Sequence, residues 1–186
     1  MVSQFISSHQ VGLLGDLDFN FPVGTHAIGR LDNHSEGLLI LTSNKRITRL
    51  LFSSVVPHTR NYLVQLNNVL SDENLERLRN GVNIKIKTGE MYTTKPCTVT
   101  LVNDPGDLYD LGDRLTAWDP CTWISMNITE GKFHQVRKMI AAIRHKCKRL
   151  IRLSIEDLEL GGLRAGEVME LEEKVFFTKL KIVDLK

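Results

Sequence analysis

A chain of 186 residues, 42% of them hydrophobic and 25% charged, has room for one domain with a sizeable core, and its composition is that of an ordinary globular protein rather than a disordered or fibrous one. No apolar run approaches the roughly 20 residues a helix needs to cross a bilayer, and MVSQFISSHQ lacks the basic start and apolar stretch of a secretory signal. The net charge of +2 does not announce a polyanion partner, and the 3 cysteines (Cys97, Cys121 and Cys147), far apart and without a CxxC pair, suggest neither a disulfide framework nor a zinc site, so a cytoplasmic location is expected.

In chain order, THAIG (25–29) reads as a strand, and GLLILT (37–42) as one continuous strand buried on both faces. Ser43 or Asn44 is placed to cap a short helix over KRITRLLF, where Ile47, Leu50 and Leu51 recur at helical spacing. NYLVQL (61–66) alternates as a strand should. SDENLERLRNG (71–81) predicts a helix with Ser71 as N-cap, acids in its first turn and Gly81 after its end. VNIKIKTG (82–89), KPCTVTLV and TWISMNIT are further strand candidates, separated by a turn-rich loop at 104–120. KFHQVRKMIAAIRHK predicts the clearest helix, with Phe133, Val136, Ile140 and Ile143 on one apolar stripe and Arg137 off it. KRLIRLSI then reads as a strand and GGLRAGE as turns. Strands with interspersed helices, without regular βαβ alternation, predict an α+β fold with a largely antiparallel sheet.

Charge is distributed unevenly. Lys132, Arg137, Lys138, Arg144, Lys146, Lys148, Arg149 and Arg152 follow one another with no intervening acid, which leaves the remainder of the chain net acidic. Such focusing is an electrostatic footprint for phosphate, although a solvated basic helix face produces the same pattern. In GRLD, Arg30 and Asp32 stand at the end of a strand, in a turn formed by DNHSEG. A carboxylate there can be held rigidly at a cleft and can serve as a nucleophile toward a sugar or an activated ring; by spacing alone, an aspartate in a turn is more often a partner of backbone amides. Tyr62, in an alternating strand, is by default a packing residue, but its ring can stack on a base and its hydroxyl can move a proton, with Arg60 on the same face. His134 and Gln135 add donors at the start of the later helix. The chain contains no GxxxxGK[ST], no GxGxxG after a strand, no HExxH and no GxSxG, so nothing in it supports a nucleotide-driven or metal-driven reaction.

Taken together, GRLDNHSEGLLILT, RNYLV and EGKFHQVRKMIAAIRHKCKRLIRL resemble the signatures of the bacterial rRNA pseudouridine synthases. In that group the A type serves the small half of the ribosome and the B, E and F types serve the large half; the E type is most similar. The resemblance runs from about residue 20 to the C-terminus and includes the closing LGGLRAGE. It implies the pseudouridine synthase catalytic fold, an antiparallel mixed sheet with flanking helices and a central cleft. The activity implied is isomerisation of a uridine in RNA, most naturally 23S ribosomal RNA, without a cofactor or metal. Asp32 becomes the catalytic aspartate, Tyr62 the tyrosine beside the target base, and Arg137 the arginine that pairs with and orients the aspartate. RNA contacts are expected from Arg30, Arg60, Lys132, His134, Gln135, Lys138, Lys146 and Lys148. Whether the aspartate attacks the sugar, attacks the uracil or assists proton removal at C2′ stays open. So do a tRNA-directed synthase and an inactive RNA-binding assembly factor.

Two departures from the family pattern are visible. The expected organisation is a single catalytic domain over residues 1–186, shortened at its N-terminus and without a separate N-terminal RNA-binding domain, and a monomer. Relatives have a strand and a Lys-Pro turn before the segment like VSQF, so a missing edge strand is expected and a version extended upstream should be more soluble. Where relatives have LTNDG this chain has LTSNK, which should alter a turn and not the chemistry.

Overall fold

The alternating segment around Tyr62 is the middle of the structure. The computed structural model of the chain describes residues 1–52, 57–112 and 120–182. Its elements are, in order, β1 (His26–Ile28), β2 (Glu36–Gly37), β3 (Ile40–Thr42), α1 (Arg46–Phe52), β4 (Arg60–Asn67), α2 (Asp72–Asn80), β5 (Asn83–Lys85), β6 (Met91–Thr93), β7 (Thr98–Val102), β8 (Cys121–Ile128), α3 (Gln135–Ala142), β9 (Cys147–Ile155), β10 (Leu158–Glu159) and α4 (Glu173–Lys179), with single 3₁₀ turns at Leu14–Asp16 and Pro105–Asp107. Strands β10, β9, β4, β8 and β7 lie side by side in that order, each antiparallel to its neighbour, and β2 joins β9 in parallel to complete a 6-stranded sheet. β1–β3 and β5–β6 form separate two-stranded ladders. The expected α+β class with a largely antiparallel sheet is therefore the one observed.

Alternation along β4 divides the core. Val64 and Leu66 face α3 and α2, where they pack with Ile124, Met126, Val136, Met139, Ile140, Ile143 and Leu78. Leu63 faces the other way, against Trp123, Ile151, Leu111 and Leu160. A third cluster, built from Ile28, Ile40, Ile47, Leu51, Ile155, Phe176 and Leu180, attaches the β1–β3 ladder and α1 to the end of β9 and to α4. The α2 caps are as its sequence predicts: Ser71 accepts from the Asn74 amide and Gly81 takes φ 96°. Asn44, rather than Ser43, caps α1, with its Oδ1 accepting from the Arg46 amide at 3.0 Å.

Three expectations change. GLLILT is not one strand: Glu36–Gly37 pairs with β9 and Ile40–Thr42 with β1, so the chain changes sheets at Leu38–Leu39. The cause is Gly37, at φ +97°, where a Cβ would stand 2.3 Å from the Arg152 carbonyl oxygen, so the strand meets β9 too closely to continue past it. The helix predicted over KFHQVRKMIAAIRHK is limited to Gln135–Ala142, because His134 takes the left-handed conformation just before it. Phe133 consequently leaves the apolar stripe and is 53% exposed. Residues 113–119 of the expected loop at 104–120 lie outside the described residues; α4 has no counterpart in the sequence reading.

At the start of β4, His58 is buried, with its Nδ1 3.6 Å from Glu156 Oε1. Burial lowers its pKa from 6.5; Glu156 opposes this, whereas Arg60 and Lys181 reinforce it. The folded state thus holds His58 neutral, and the stability this contributes is present above pH 6.5 and declines as the pH falls below it. The thermal midpoint should accordingly fall between about pH 7 and pH 5.5, and should fall less in His58→Gln; equal pH slopes for the two proteins would refute the assignment.

Candidate active site

Asp32 sits in a turn that three arginines attach to the rest of the fold. The turn is closed by the Ser35 amide donating to the Asp32 carbonyl at 2.9 Å, with His34 in the left-handed region at φ 66°. Arg137, from α3, donates through Nη2 to the His34 carbonyl at 2.6 Å and to Ser35 Oγ at 3.2 Å, and through Nη1 to the Cys147 carbonyl at 3.3 Å. Arg149, from β9, forms a fork on Glu36, Nε to Oε1 at 2.9 Å and Nη2 to Oε2 at 2.7 Å, and also donates to the Leu111 carbonyl. Arg152 donates through Nε to the Leu38 carbonyl at 2.8 Å, and the Leu38 amide returns to the Arg152 carbonyl at 2.8 Å. The aspartate is thus positioned by contacts to the residues that follow it in the chain, His34, Ser35, Glu36 and Leu38.

Arg137 was expected to pair with Asp32 directly. Its guanidinium instead holds the His34 carbonyl and the Ser35 hydroxyl of the same turn; among the described residues it makes no ion pair with Asp32. The His134 imidazole stands beside the carboxylate, its Nε2 3.6 Å from Asp32 Oδ1. Tyr62 lies opposite Met126 on one side and Arg152 on the other. Arg152 is 5% exposed. Burial lowers its pKa, while the Tyr62 hydroxyl and the Asp32 carboxylate favour its charged form and Arg60 opposes it. A buried guanidinium thereby connects the two predicted catalytic side chains, a role that a place in a basic run could not reveal.

The basic run itself is dispersed. Arg149 and Arg152 are internal. Lys132 and Lys138 flank the entrance to α3, each with its ammonium over an aromatic ring, Tyr92 and Phe133 respectively. The amide of Lys146 bonds to Asn67, at the far end of β4, which places Lys146 roughly 16 Å from Tyr62 along the strand. Arg144 and Lys146 are exposed at that end, with Lys148 half-buried nearby; Arg30 is exposed close to Asp32 and Arg60 half-buried close to Tyr62. Gln135 departs from the expected RNA-facing role. It is 4% exposed, its Oε1 accepts from the Lys132 amide at 2.8 Å and its Nε2 donates to Glu130, so its amide is already occupied in fixing the turn before α3.

A cavity of about 900 Å³ borders the Asp32 turn. It is lined by Asp32, Ser35 and Glu36 together with Phe19, Leu41 and Leu160, among others, and reaches neither Tyr62 nor Arg137. Burial pushes the Cys97 and Cys147 thiols each up to about 11.

The fork between Arg149 and Glu36 carries a stability prediction. Removing one partner strands a charge that is 90% withdrawn from water, and because Glu36 is partly exposed the loss lies toward the low end for buried pairs. Glu36→Ala should cost about 3 kcal/mol in urea unfolding, and a loss below about 0.5 kcal/mol would place the pair in the surface class.

The RNA pseudouridylate synthase family model matches residues 18–142. Ribosomal large subunit pseudouridine synthase E of Vibrio parahaemolyticus is 34% identical over 149 residues, covering 79% of this chain and 60% of that protein. The enzyme of the same name from Xanthomonas axonopodis pv. citri is 33% identical over 165 residues, covering 88% of this chain and 84% of that protein. A solved pseudouridylate synthase superposes with a TM-score of 0.70 at 27% identity, over 87% of this chain and 63% of that structure. The motif built around the Asp32 turn, the fold that carries it and these likenesses agree: the chain belongs to the RNA pseudouridylate synthase family.

Proposed function

We propose that the protein converts a uridine of ribosomal RNA, in the 23S molecule, to pseudouridine, with Asp32 as the catalytic carboxylate. The observation that carries this is the construction of the Asp32 turn, which is attached by Arg137, Arg149 and Arg152 and leaves the carboxylate beside His134. A turn aspartate with only a structural role would accept backbone hydrogen bonds; the neighbour found for this carboxylate is a partly exposed imidazole. The substrate class follows the name shared by the Vibrio and Xanthomonas relatives.

In the reaction the N-glycosidic bond breaks, the uracil turns while held, and C5 bonds to C1′. The target must leave its stack to reach Asp32, so base extrusion is required. Tyr62 supports the extruded base, Arg137 and Arg152 keep the turn and the tyrosine in register, and Arg30, Arg60, Lys132 and Lys138 meet the flanking phosphates. Lys146 and Lys148, at the other end of β4, hold RNA further from the target, while Gln135 acts inside the protein. The chain acts as a single catalytic domain, a monomer in the cytoplasm.

Carbodiimide-dependent primer stops on 23S rRNA and on tRNA transcripts test this reading. A protein-dependent stop in 23S rRNA is expected. A stop in tRNA alone would reassign the substrate, and no stop in either under conditions of measurable binding would leave an RNA-binding protein without this activity.

A further inference from the structure

We propose that His134 is a second catalytic residue, the base that removes the proton from C5 of the uracil after the new carbon–carbon bond has formed. This rests on the reading of Asp32 given above. The C5 that bonds to C1′ still carries its hydrogen. That hydrogen must leave as a proton, its electron pair re-forming the C5–C6 double bond. N1, which keeps the electron pair of the broken glycosidic bond, must gain a proton. One proton is lost and one gained, so the product is an isomer of the substrate and no co-reactant is needed. The step nevertheless requires a group with a free lone pair beside the base.

Among the charged side chains gathered around Asp32, Arg60, Arg137 and Arg152 have no lone pair to offer. The Tyr62 hydroxyl does carry a lone pair, so Tyr62→Phe is measured beside the His134 variants, and a rate loss with an isotope effect confined to Tyr62→Phe would overturn the proposal. His134 has an available ring nitrogen, with its Nε2 3.6 Å from Asp32 Oδ1, and a side chain 39% exposed, so it can return the proton to N1 or to water.

Two independent observations indicate that its placement is built. His134 is a non-glycine residue at φ 54°, ψ 34°, a left-handed conformation that costs an L-residue about 1–2 kcal/mol and puts its ring at the carboxylate instead of in the first turn of α3. Its ring is stacked on Phe133, with centroids 3.8 Å apart and planes 19° from parallel. Phe133, which also carries the Lys138 ammonium over its ring, serves as the backing plate that fixes the imidazole.

The test uses full-length protein and 23S rRNA transcripts carrying [5-²H]uridine or ordinary uridine. The substitutions are His134→Asn and His134→Gly, since both residues tolerate the left-handed conformation and preserve the turn. Both should lower kcat by about 100-fold or more, the usual contribution of a positioned base, with KM little changed. Deuterium at C5 should then slow the variants more than it slows the wild type, and added imidazole should restore part of the His134→Gly rate. An unchanged kcat would overturn the proposal, as would a loss of rate with neither an isotope effect nor rescue, the pattern of a merely structural residue. Failure of the wild type to form pseudouridine would instead overturn the function proposed above.

Discussion

Asp32→Asn should abolish pseudouridine formation, lowering the rate by roughly a thousand-fold or more, while leaving RNA binding and the unfolding midpoint close to those of the wild type. The amide is isosteric with the carboxylate but carries no charge and is a poor nucleophile. The Ser35 amide donates to the main-chain carbonyl of Asp32, so the turn does not depend on the carboxylate. Arg137 holds His34 and Ser35 rather than the Asp32 side chain, which again predicts an intact fold. Rates can be followed by tritium release from RNA labelled at C5 of uridine, and binding by filter retention of the same RNA. If the asparagine variant keeps more than about a tenth of the rate, Asp32 is not the central carboxylate.

The second large effect concerns Gly37. A β-carbon there would meet the Arg152 carbonyl oxygen at 2.3 Å and the Arg152 nitrogen at 2.7 Å, both backbone atoms of a central strand, at φ +97°. Neither neighbour can yield without breaking the β2–β9 pairing that anchors the Asp32 turn. Gly37→Ala should therefore destabilise the protein by more than about 3 kcal/mol, combining left-handed strain with a backbone clash. Activity should fall with it, because Glu36 and Leu38 are the turn's attachments to β9. Gly161 is the control: it is also at positive φ, +57°, but no atom lies within 4 Å of its would-be Cβ, so Gly161→Ala should cost only about 1 kcal/mol. Similar losses for the two variants in urea unfolding would show that the approach of β2 to β9 is not what Gly37 serves.

Much of this site was legible because its parts are local in sequence. The Asp32 motif is one uninterrupted stretch, and the strand of Tyr62 and the helix of Arg137 show their periods directly. What escaped depends on contacts between distant residues. Glu36 and Arg149 are 113 positions apart, and nothing in a run of basic residues says that one of them is held by an acid so far upstream. Arg152 escaped similarly: alternation places it on the Tyr62 face, but the register that sets it opposite Tyr62 depends on an irregularity between Asn61 and Tyr62. A run such as GLLILT carries no signal for the point at which a chain changes sheets, since both halves are apolar. Phe133 was assigned to a helix stripe by spacing, whereas the left-handed His134 ends the helix before reaching it. Gln135 sits at the expected place, but its burial and its link to Glu130 follow from the turn's own packing, to which composition is blind. α4 was missed because it is short and its buried residues, Phe176 and Leu180, are completed by Ile28, Ile47 and Ile155 from distant parts of the chain.

The most direct measurement is single-turnover tritium release from 23S rRNA transcripts containing [5-³H]uridine, with excess protein and nucleoside analysis of the same RNA. A chain that moves C1′ from N1 to C5 must release one tritium for each pseudouridine found, and the account predicts equal amounts of the two from the wild type and neither from Asp32→Asn. RNA that is bound by the wild-type protein yet releases no tritium and yields no pseudouridine would contradict it.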